Sequence, residues 1–202
     1  FMDWNKLFQS EVKKIKFNYD LKFDKFHLDD FLEIFDSKDS SNSDYQIDLE
    51  GAITASELYY DNLKFSNVVS KRLKINKSLE IKNLLMESYD GEILLNIYNA
   101  DLSSDNQNWF IDGELSNLNI KQLMKSFNDF DQDYIKNEHI SGSISSDFNS
   151  KLIFDPSNNW DFQNSSIESK NTFKDIVLLE YPFLYDILKV FENSVITRNI
   201  ID

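Results

Sequence analysis

Two histidines, His27 and His139, stand alone at what read as element starts. A metal centre or a general acid–base site needs partners at defined spacing, so isolated histidines read as surface or capping residues. Asp129-Phe130-Asp131-Gln132-Asp133 opens like a calcium loop. Its sixth position, where the sharp turn needs glycine, is Tyr134, and its twelfth, where a bidentate Glu belongs, is Ile140, so a solvated loop is expected instead. Ser10-Glu11-Val12-Lys13 and Ser104-Asp105-Asn106 match two of the three penicillin-recognising motifs; the third, Lys-Thr-Gly, is absent. Short matches of that kind arise by chance in a chain rich in Ser, Asp, Asn and Lys. Asn76-Lys77-Ser78 and Asn164-Ser165-Ser166 are formal glycosylation sequons, meaningful only in a eukaryotic secretory setting. Four scattered glycines build no phosphate-cradling loop, and nothing singles out a catalytic pair among 35 carboxylates. No catalytic residue, metal ligand or cofactor site is therefore expected, and the chain does not read as an enzyme.

The composition narrows the remaining classes. The 202 residues are 41% hydrophobic, with 17 Phe and 9 Tyr, which is enough apolar surface for a folded core. A net charge of -14 repels phosphate backbones, so nucleic acid is not an expected partner; the densest basic run, Lys13, Lys14 and Lys16, is thin. Cysteine is absent, which removes disulfides, thiol nucleophiles and thiolate metal sites. No apolar run approaches the ~18 residues of a membrane-crossing helix. The chain is expected to be a segment of a larger protein.

The elements that would position any site are mostly strands. In 15–24, Ile15, Phe17, Tyr19, Leu21 and Phe23 alternate with polar neighbours, the period of a half-buried strand. The same pattern covers 45–53, 73–81, 93–98, 109–115 and 140–154, the last unusually long. Apolar residues at i, i+3, i+4 and i+7 predict short helices over 27–35, 120–127 and 182–191. With only four Gly and two Pro, turns fall to Asn, Asp and Ser clusters.

Leu28, Phe31, Leu32 and Phe35 map onto Ile120, Leu123, Met124 and Phe127 at a constant offset of 92 residues. A polar loop follows each set (36–44 and 128–138), then a strand with Gly two residues before Ile: Gly51/Ile53 and Gly142/Ile144, at an offset of 91. Asp90-Gly91-Glu92-Ile93 and Asp112-Gly113-Glu114-Leu115 are near copies of one another. Asp-Gly starts hairpins, whereas a glycine inside a strand marks a bend, a bulge or a close backbone approach; both readings stand for Gly91 and Gly113, and the second is favoured for Gly51 and Gly142. The resulting expectation is one elongated β-rich segment, 1–202. It repeats a strand–helix–loop–strands unit about twice, over roughly 15–110 and 111–202. Its fold class is mainly β with a few short helices, an antiparallel meander forming a curved sheet or open groove.

Leu118-Asn119-Ile120-Lys121-Gln122-Leu123-Met124-Lys125-Ser126-Phe127, followed by His139-Ile140-Ser141-Gly142-Ser143-Ile144-Ser145, resembles the AsmA-like family pattern of a short amphipathic helix and an hIxGxIs strand. The earlier copy, 26–35 with 47–53, is similar but more diverged, and the resemblance spans roughly 15–191. It implies a long antiparallel sheet curled around an apolar groove, in a Gram-negative envelope protein anchored to the inner membrane. The implied role is lipid transport or outer-membrane homeostasis, with no catalytic motif to carry over. This sequence departs from the family in lacking the anchor and in being short.

The groove candidates follow from the alternation: Phe17, Tyr19, Leu21, Phe23, Ile47, Leu49, Ile144, Phe148, Leu152 and Phe154. Ordinary core packing would produce the same pattern. The expected partner is a phospholipid or other acyl-chain lipid, with an envelope protein complex as a further candidate, and the expected compartment is the periplasm. The competing expectation is a scaffold- or adhesin-like β module with no lipid ligand.

Overall fold

A computed structural model describes residues 14–29, 46–133 and 135–179. The strands are β1 (Lys14–His27), β2 (Gln46–Tyr60), β3 (Leu63–Ile75), β4 (Leu79–Ser88), β5 (Gly91–Asn99), β6 (Gln107–Asn119), β7 (Ile140–Phe154) and β8 (Ser166–Leu178). They form one eight-stranded open sheet in chain order. Every ladder is antiparallel except β1–β2, which is parallel, so the expected meander has one departure at its first step. Helix α1 (Ile120–Ser126) and a 3-10 turn (Asn128–Asp131) connect β6 to β7. Asn119 caps α1 by accepting the Gln122 N–H at 3.2 Å, and Ile120 and Met124 bury themselves against Ile140. The helices expected over 27–35 and 182–191 lie almost wholly outside the described residues, as does the 36–44 loop.

The alternation of 73–81 is not one strand. The chain reverses at Asn76-Lys77-Ser78, where the Asn76 side chain accepts the Ser78 N–H at 2.7 Å. Ile75 then pairs with Leu79 and Leu73 with Ile81, so all four keep the same face. Stretches that the period-two reading missed are also strands: the second half of β2, most of β3 and of β4, and all of β8.

Bulges explain the misses. Five of the seven ladders shift register. In four of them the strand with the extra residue carries a left-handed Asn or Asp: Asn67 (φ 51), Asn83 (φ 51), Asn117 (φ 55) and Asp175 (φ 54). Asn and Asp tolerate this region better than other L-residues because their short side chains bond locally. They do here what glycine does in the common left-handed bulge. Gly142 (φ 117) faces Asp175 at the β7–β8 shift, and Gly51 stands at the β2–β3 shift, as expected of in-strand glycines. A bulge bends the strand that carries it and increases local twist.

Gly91 and Gly113 separate. Tyr89 (φ 53) and Asp90 (φ 62) form the two-residue turn between β4 and β5, so Gly91 opens a strand directly after a hairpin. Gly113 lies in the middle of β6, between Leu95 and Phe148.

Candidate functional site: an apolar sheet face

Cross-strand register brings the apolar residues into rows. One row runs Phe17, Leu49, Ile75, Leu79, Asn99, Trp109, Leu152 from β1 to β7. Beside it runs Tyr19, Gly51, Leu73, Ile81, Ile97, Ile111, Ser150, Ile167 across all eight strands. At ~4.8 Å between strands, a row from β1 to β7 extends about 30 Å. The row between them on the opposite face reads Asn18, Glu50, Lys74, Glu80, Tyr98, Phe110, Lys151, Ser166. An ion-pair chain, Lys16–Glu50–Arg72–Glu80–Lys82, crosses the same side with separations of 2.6–3.6 Å. One face is thus mostly apolar and the other mainly polar and charged, with Tyr98 and Phe110 exposed on it.

The apolar face is closed at one end and open at the other. At the closed end, Ala55, Val68, Met86, Ile93 and Leu118 form a buried cluster, with Phe23, Phe26, Leu58, Phe65 and Ile144 packed on it. Toward the Ile75–Leu79 end, the two rows are half-buried or exposed, apart from buried Leu73 and Asn99, and Phe17 reaches 51% exposure. The described strands all belong to one layer. Asn99 interrupts its row as a loop anchor: its amide donates to Gln107 Oε1 at 2.8 Å and its carbonyl accepts the Asp101 N–H at 2.9 Å.

The candidate residues therefore share one face but divide between its two edges. Phe17, Tyr19, Leu21 and Phe23 lie on β1, Leu49 on β2, and Ile144, Phe148, Leu152 and Phe154 on β7. Ile47 is in register with Ile15, and its side chain lies outside the described residues. Phe23 stacks at 4.7 Å on Phe26 and belongs, with Ile144, to the closed end. Tyr19 supports the sheet itself. Its ring covers Gly51 and its hydroxyl donates to the Leu73 carbonyl at 3.1 Å, while burial raises its phenol pKa. The residues that bridge the two edges are Ile75, Leu79, Ile81, Ile97, Trp109 and Ile111. All lie in stretches whose alternation was legible; only the register joined them to the candidates.

Polar chemistry is confined elsewhere. A cavity of about 700 Å³ near the β4–β5 turn is lined by Lys64, Glu87, Tyr89, Asp90, Glu92 and Gln122. Its Asp90 carboxylate is held by amides of Asn119 (3.1 Å) and Gln122 (2.5 Å), and Glu87 by Asn67 (2.8 Å). Asp129, first residue of the calcium-like stretch, accepts the Asn137 N–H at 2.7 Å and serves as a loop staple. His27 stacks on Tyr59 at 4.9 Å, and His139 Nδ1 accepts the Lys136 N–H at 3.2 Å. Among the described residues no group of three or more His, Cys, Asp or Glu could hold a metal ion, and no helix is long and apolar enough to cross a membrane.

No family model, curated protein or solved structure matches this chain.

Proposed function

We propose that this chain is a non-enzymatic lipid-binding or lipid-conducting segment of an AsmA-like envelope protein, working in lipid transport or outer-membrane homeostasis. The supporting observation is the pair of apolar rows that cross the sheet side by side, half-buried and in a single layer. An acyl chain lying along such a strip gains about 0.8 kcal/mol per buried CH₂ and needs no specific polar contact. The charged opposite face keeps the assembly in water. Bulges at Asn67, Asn83 and Asn117 supply bends that turn a sheet into a trough. The periplasm is the compartment this reading implies, with phospholipid as ligand and an envelope complex as further partner.

The test is lipid extraction and native mass spectrometry of the chain produced in a Gram-negative host. Co-purified phospholipid is expected; repeated recovery of lipid-free protein would remove the proposal. A second reading, an interaction module without lipid, draws on the sheet's two edges, β1 and β8, neither of which closes on the other. Under it the same preparation carries no lipid and instead associates through an edge.

A further inference from the structure

The two sheet edges differ in how they are protected. β1 carries Lys14, Lys16, Lys22 and Lys25, the lysine-rich pattern that discourages edge pairing, and two of these lysines already bind Glu50 and Glu57. β8 is less strongly defended: it carries two lysines, Lys170 and Lys174, and one bulge near its end, at Asp175. All 13 of its residues are exposed, it contains no proline, and its charges cancel: Glu168 and Asp175 against Lys170 and Lys174. Ile167 (58% exposed) and Phe173 (56%) sit on its apolar face. Among the described residues neither Glu168 nor Lys174 forms an ion pair. Its outer row of N–H and C=O groups faces away from β7.

We infer that β8 pairs antiparallel with β8 of a second copy about a two-fold axis at Asn171. The charge pattern favours this register over its two immediate neighbours. Centring the axis on Asn171 sets Glu168 of each copy opposite Lys174 of the other, twice by symmetry, and Lys170 opposite Thr172. Moving the centre by one residue either way brings like charges together: at Lys170 the lysine meets itself, and at Thr172 Lys170 meets Lys174. The left-handed Asp175 ends the regular pairing, leaving the stretch from Glu168 to Lys174 as the zipper. The two sheets join into one, with Phe173 of each copy opposite Ser169 of the other on the apolar face. The pairing stands whether or not the apolar face takes lipid.

Sedimentation of the full chain across a concentration series tests it, with circular dichroism confirming the fold of each variant. The wild type is expected to dimerise. E168K and K174E, each placing like charges opposite one another twice, are expected to weaken the dimer about tenfold or more. The double variant E168K/K174E is expected to restore it. A wild type that stays monomeric, single swaps that leave the dimer unchanged, or a double swap no better than the singles would overturn the inference. Open-ended assembly, the signature of β8 joining β1 of the next copy, would do the same.

Discussion

Gly113 lies directly beneath the ring of Phe148: the two are paired across β6 and β7, and a Cβ on Gly113 would run into Phe148 Cε1 and Cζ. A bare backbone position lets the ring lie flat across the sheet, joining Leu95 on one side to the β7 residues on the other. Gly113→Ala is expected to cost about 1–3 kcal/mol by overpacking. Urea denaturation of G113A, F148A and the double variant checks this. The double variant should lose less than the sum of the singles, because removing the ring vacates the space.

Asn117 gives a backbone test. It is exposed and left-handed (φ 55), and its side chain is not needed to seat the bulge, since the Asn117 N–H donates to Ser145 Oγ at 2.9 Å. Asn117→Gly should leave stability unchanged or slightly raised. Asn117→Val, equally small but β-branched, should cost about 1–2 kcal/mol. Equal stability of the two variants by chemical denaturation would show that the bulge is not held by that conformation.

Glu57 gives a pH test. Hydrogen bonds from Lys64 (2.6 Å) and Tyr59 (2.6 Å) hold its carboxyl at about 2, down from the usual 4.5. A carboxylate with a depressed folded-state pKa contributes stability that is fully present above the unfolded value and is lost as pH falls through the folded one. Wild type should therefore exceed Glu57→Gln in thermal midpoint above pH 4.5, with the gap closing as pH approaches about 2. A gap that is constant with pH would contradict the pairing.

The two ends of the apolar face should respond differently to truncation. Leu118 is 1% exposed in the closed cluster, so Leu118→Ala should cost about 2–5 kcal/mol. Leu152 is half-buried in the open row, so Leu152→Ala should cost much less while reducing lipid capture. Denaturation midpoints and bound-lipid yields, measured on the same preparations, separate stability from binding.

How much of this was legible follows from the bulges. Phe17, Leu49 and Leu152 announce their face because their strands alternate strictly around them. β3 and β4 hide because Phe65 and Val68, like Ile81 and Leu84, are three residues apart, a left-handed Asn lying in between. That spacing imitates a helix, and so do Leu115 and Leu118 around Asn117. β8 hides because polar Ser, Lys, Asn and Thr fill an edge that buries nothing. The parallel β1–β2 pairing is a matter of strand direction, which periodicity does not encode. The candidate residues were legible as a face, but their union through Ile97 and Ile111 needed the register.

Trp109 lies within the first apolar row, between Asn99 and Leu152, and reports directly on what touches that face. With Trp4 and Trp160 replaced by Phe, phospholipid carrying brominated acyl chains should quench Trp109 emission, and Ile111→Asp on the neighbouring row should abolish the quenching. Emission that brominated lipid leaves unchanged, in protein shown to be folded, would mean that acyl chains do not lie on this face.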